Sequence, residues 1–156
     1  MTTILAIDPG TVQSAWIIFS GGRAERFGIQ ANVELLADLR SETRWGRPLA
    51  DVAVIEKIES FGMTVGAEVF ETVHWSGRFT EALWPTPVVQ LPRRAVKLHL
   101  CGSARAKDPN IRQALLDRFG GKAATGTKRS PGPLHGIHGD LWAALAVAVT
   151  FAETGA

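Results

Sequence analysis

Ile4-Leu5-Ala6-Ile7-Asp8-Pro9-Gly10 opens the chain with an apolar run that ends on an acid and a Pro-Gly break. A short apolar run closed in this way reads as a buried strand. Asp8 then stands at the carboxyl end of a core strand, where open α/β sheets carry their ligand sites. Working outward, Ala15 to Phe19 is a second apolar run, Gly21-Gly22 a turn, and Ala24 to Ile29 a third strand. Asn32 caps a helix that runs to about Arg44, with Val33, Leu35, Leu36 and Leu39 as its apolar stripe. Val52 to Ile58 is a strand interrupted near its end by Glu56 and Lys57. Met63 to Leu83 reads as a long helix with Val65, Val69 and Val73 in register. Val88 to Leu91 is a further strand, and Pro92 to His99 a short helix. Asp108 as N-cap and Pro109 open a helix that ends at Gly120-Gly121. Residues 122–139, rich in Gly and Pro, read as a mobile basic loop, and Asp140 starts a last helix to about Glu153. These elements predict one α/β domain over residues 1–156. Its mixed five-stranded sheet has three antiparallel strands, then parallel ones, with helices on both faces.

Composition narrows the function classes. A single cysteine, Cys101, excludes a disulfide framework and a zinc site built on several thiolates. No apolar run approaches the ~18 residues of a membrane span. The first residues lack a basic segment and meet Asp8 at once, so the expectation is a cytoplasmic protein with no membrane partner. The net charge of +2 conceals an asymmetry. Between Arg93 and Arg129 ten cations face only Asp108 and Asp117, and the rest of the chain is acidic. A basic block beside an acidic remainder points to a polyanion. Lys97, Arg105, Lys107 and Arg112, with Lys128 and Arg129 of the loop, are the candidate phosphate-binding residues.

Acids at the ends of apolar strands need a reason. Asp8 follows Ile-Leu-Ala-Ile, and Glu56 follows Val52-Ala53-Val54-Ile55. On adjacent strands the two would repel and resist ionising, and a divalent cation relieves this. Hard oxygen ligands suit Mg²⁺ or Mn²⁺. Asp140, opening the last helix, supplies a third ligand if that helix packs beside the first strand. Each acid also has a plainer role. Asp8 can form a turn, Glu56 can pair with Lys57 or an arginine, and Asp140 can cap its helix.

Ile4–Gly10 resembles the opening strand of Holliday-junction resolvases of the RuvC type, and Val54-Ile55-Glu56 resembles the strand with their second acid. Lys97, Cys101-Gly102-Ser103 and Ala106-Lys107-Asp108 look like their lysine-bearing segment before a helix. Residues 143–148 look like their final helix. Ser60–Gly66 and Pro131-Gly132-Pro133 are similar to phage-encoded members. The resemblance implies an RNase H-like fold and two divalent ions, Mg²⁺ with Mn²⁺ as substitute, at Asp8, Glu56 and Asp140. It also implies cleavage of branched double-stranded DNA, usually as a homodimer. The long helix, with Gly66 and Gly77, is a candidate dimer face.

The family commonly ends with two acids, or His and Asp, three apart. Here Ile137 lies three before Asp140 and Ala143 three after it. His138 or Glu59 could complete the metal set. The family often has a junction-probing aromatic three residues past the strand glutamate; here Glu59 holds that place. Other readings are an RNase H-like nuclease on forks, flaps or RNA precursors, and a non-catalytic DNA-binding module. Asp8-Pro9-Gly10-Thr11 also resembles an actin-like phosphate loop, but 156 residues hold one half of that fold. With no Walker loop, no nucleotide cofactor is expected.

Overall fold

The computed structural model describes residues 1–44 and 48–155. Strands β1 (Ile4–Asp8), β2 (Gln13–Ser20) and β3 (Arg23–Ala31) precede helix α1 (Asn32–Arg44). Strand β4 (Val52–Lys57), helix α2 (Ala67–Ala82) and strand β5 (Val88–Pro92) follow. Helices α3 (Arg93–Cys101), α4 (Asp108–Arg118) and α5 (Leu141–Thr154) complete the chain, with a short 3-10 turn at Gly121–Ala124. The sheet order is β3-β2-β1-β4-β5. β1 pairs antiparallel with β2 and β2 with β3, whereas β1–β4 and β4–β5 are parallel. The mixed five-stranded sheet is therefore as expected.

Alternation along the strands separates two cores. Leu5, Ile7, Ala53 and Ile55 pack with Leu35, Leu36 and Leu39 of α1 and with Trp75 and Phe79 of α2. Ile4, Ala6, Val54 and Leu91 face the other way, onto α3, α4 and α5. Helix α5 is buried nearly all round, and its alanines let it lie close against β1 and β2. Among the described residues no helix is long and apolar enough to cross a membrane.

Two expectations for the helices change. Helix α2 starts at Ala67, not Met63, because Phe61 and Gly62 take positive φ in a turn closed by the Met63 amide on the Ser60 carbonyl. Its buried face is Thr72, Trp75, Ser76 and Phe79, whereas Val73 is largely exposed. The two aromatic rings bury more apolar area than the valine row and win the core. At α4 the N-cap is Lys107, whose amide donates to Asn110 Oδ1, and Asp108 is the first helical residue. Residues 122–139 are irregular in backbone yet anchored, since Ala124, Leu134 and Ile137 are buried in the core.

Candidate active site

The parallel register builds the site. Ala6 pairs with Val54 and Ile7 with Ile55, so Asp8 and Glu56 end neighbouring strands side by side. Asp8 shares the parity of Ile4 and Ala6, and Glu56 that of Val54, so both carboxylates project to the α5 side. One register step further, Lys57 lies opposite Pro92, so Arg93 begins α3 immediately beyond the end of β5.

The turn after Asp8 is held by a buried polar network. The Gly10 amide donates to Ser14 Oγ at 3.1 Å, Ser14 Oγ donates to Asn32 Oδ1 at 2.5 Å, and Asn32 Nδ2 donates to the Gly10 carbonyl at 2.9 Å. A Cβ at Gly10 would lie 2.2 Å from the Gln13 carbonyl oxygen, so only glycine fits that place. Asn32 therefore starts α1 and ties it to the loop that carries Asp8.

These elements enclose a cavity of about 500 Å³. Asp8, Glu56 and Asp140 line it together with Arg93, Asp108, Arg112, His138 and Trp142. Asp140 is the N-cap residue of α5, but its side chain makes no capping hydrogen bond. The starts of α3, α4 and α5 thus all meet at the carboxyl end of β1 and β4. Helix N-termini carry partial positive charge and suit an anion such as phosphate.

The electrostatics of the acids are tightly linked. Burial, then the charge and hydrogen bond of Glu56, then the charge of Asp140, push the Asp8 carboxyl up to about 9, with Arg93 opposing. Glu56 is only 6% exposed and takes a 3.4 Å ion pair from Arg93 Nη1. Arg93 Nη2 pairs with Asp108. Half-burial works against the Arg93 charge, but Glu56, Asp108 and Asp8 outweigh it and raise its pKa above the ordinary value.

The three predicted acids therefore come together, and His138 joins them at the rim, its Nδ1 2.9 Å from the Gly136 carbonyl. Glu59 does not line the cavity and pairs with Lys57 at 3.7 Å. Of the predicted phosphate binders, Arg112 lines the cavity and stacks 4.9 Å over the Trp142 ring. Lys97 is half-buried, and Arg105, Lys107, Lys128 and Arg129 are exposed outside that lining. Arg93, Asp108 and Trp142 are the lining residues that sequence reasoning passed over. For Arg93 the signal was its place directly after a strand, the same logic that picked Asp8 and Glu56.

Among the described residues no three His, Cys, Asp or Glu side chains stand as a ready-made metal centre. Asp8 and Glu56 share a hydrogen bond, and Asp140 reaches Asp8 through its charge. This acid-rich donor set fits one hard divalent ion. Toward a second it offers the Arg93 guanidinium and, three residues past Asp140, the methyl group of Ala143.

No family model matches the chain, and no curated protein does. Among solved structures, Thermus thermophilus RuvC superposes with a TM-score of 0.64 at 18% identity, covering 98% of this chain and 96% of that one. The T. thermophilus RuvC complex with a Holliday junction substrate gives 0.68 at 19%, covering 97% and 93%. The chain has a RuvC-like, RNase H-like fold.

Proposed function

We propose that this chain is a metal-dependent endodeoxyribonuclease that cuts branched DNA. One observation carries the reading: Asp8, Glu56 and Asp140 meet in one cavity at the strand ends, facing three helix N-termini. The solved complex of the structural neighbour with a Holliday junction supports branched DNA as the substrate class.

Asp8, Glu56 and Asp140 would hold the ion, with His138 at the rim as a further ligand or proton carrier. When bound, Mg²⁺ or Mn²⁺ lowers the pKa of an attacking water and screens charge on the phosphate. Asp8, whose carboxyl burial and Glu56 push up to about 9, would have to give up its proton to hold the ion. Arg112, braced on Trp142, grips a phosphate at the cavity mouth. Lys97, Arg105, Lys107, Lys128 and Arg129 extend that grip along the backbone, without reading sequence. The products would carry 5′-phosphate and 3′-hydroxyl ends.

A second copy of the chain would pair through α2. Phe70 and Val73 are exposed, Gly77 leaves open space on the same helix, and exposed Trp84 lies just past its end. An apolar stripe at helical spacing that faces solvent suits a partner helix. Sedimentation should give a dimer, and Phe70→Glu with Val73→Glu should give a folded monomer. A wild-type chain that stays monomeric at high concentration rejects this pairing.

The substrate class is tested by a Mg²⁺ panel of four-way, three-way, flap and RNA–DNA substrates. Four-way junctions should be cut best. Preferential cutting of flaps or RNA–DNA hybrids would move the assignment to another RNase H-like nuclease, and no cutting with intact binding would leave a DNA-binding module.

A further inference from the structure

Arg93 stands among the acids of the cavity and is engaged there by two carboxylates. Its guanidinium holds the buried Glu56 through Nη1 and Asp108 through Nη2, and its charge reaches Asp8. The β4–β5 register and the start of α3 at Arg93 fix its backbone beside Glu56. A buried carboxylate without a cation is costly, so this pair is not a loose surface contact.

Building on the metal-dependent reading above, we infer that the centre takes one divalent ion, not two, and that the Arg93 guanidinium serves as its second cation. Charge supports this count. Over the whole lining, Asp8, Glu56, Asp108 and Asp140 against Arg93 and Arg112 leave two negative charges when all the acids are ionised, which one divalent ion matches. A second ion would need another acid. The wall beyond Asp140 is instead Ala143, Ala146 and Val147, and the remaining acid of the cavity, Asp108, is already held by Arg93. A guanidinium has five N–H donors in a planar fork, and the two carboxylates engage only part of them. The others remain for phosphate oxygens, the ligand for which that fork is suited.

The test is a Mn²⁺ titration of the full chain, followed by calorimetry and by the electron paramagnetic resonance signal of free Mn²⁺. Wild type and Arg93→Lys should each bind one Mn²⁺ per chain. Arg93→Ala should bind a second, because it releases Glu56 and Asp108. Two ions in the wild type would overturn the inference while leaving the nuclease reading intact. One ion in a folded Arg93→Ala would also overturn it, since the arginine then holds no cation position. No ion in the wild type would remove the metal-dependent reading itself. If Arg93→Ala fails to fold, the wild-type and Arg93→Lys counts still decide.

Discussion

The two walls of the cavity are built by different means. On one side Asp8 and Glu56 end paired parallel strands, and register and parity leave them no other place. On the other, Asp140 and His138 sit at a helix start and in a loop, positioned by packing of Ile137 and Leu141 rather than by a hydrogen-bond ladder. The strand wall is half-buried or buried, and the Asp140 side is exposed. A buried ligand cannot be replaced by water when it is removed, whereas an exposed one can.

That contrast sets the order of expected effects. Asp8→Asn and Glu56→Gln should each lower single-turnover cleavage by about 10³-fold, the several kcal/mol that an ion contributes at phosphate. Asp140→Asn should cost less, about 10- to 100-fold, with the loss partly recovered at high Mg²⁺. Equal losses at all three positions would erase the distinction between the walls.

The strand wall also depends on its support. Asn32→Ala strips partners from Ser14 Oγ and the Gly10 carbonyl, and should lower stability by about 2–3 kcal/mol in urea denaturation. An unchanged midpoint would mean that the turn after Asp8 is held some other way.

Protonation offers a third probe. In the metal-free chain the Asp8 carboxyl is raised to about 9 from 3.8, so the folded state keeps a proton that the unfolded state gives up above about pH 4. The stability this brings is whole below pH 4, declines as pH rises, and is gone above about pH 9. The Tm difference between wild type and Asp8→Asn, measured in chelator across this range, should move against the wild type as pH rises. A constant difference would show that Asp8 ionises freely.

The smallest effect belongs to the cavity mouth. Arg112→Ala should weaken junction binding by about 3- to 5-fold, in line with a partly exposed cation–π contact, and lower the salt slope by about one. A larger loss with altered cleavage positions would move Arg112 from gripping backbone to placing the scissile bond.

The strand wall was legible because a period of two and a terminal acid are local signals. Asp8 and Glu56 could be read from five residues each. The helix wall was legible only in part. Asp140 was visible as a helix start, but nothing local says that its side chain forgoes the cap. Arg93 enters through the β4–β5 register, a pairing between residues far apart in sequence. The valine row of α2 misled because its spacing is helical, while the choice of buried face depends on what α1 and the sheet offer opposite. Leu134 and Ile137 lack periodicity among the glycines and prolines, so their burial left no mark in the sequence.

The central claim is that the strand-end acids form the centre of a metal-dependent nuclease. It is tested most directly by incubating a labelled four-way junction with the chain in chelator, and then after Mg²⁺ is restored. Wild type should cut only with Mg²⁺, leaving 5′-phosphate and 3′-hydroxyl ends, while Asp8→Asn should bind the junction and leave it whole. Cleavage by Asp8→Asn at a rate near that of the wild type, or a wild type that cuts no branched DNA with either Mg²⁺ or Mn²⁺, would contradict it.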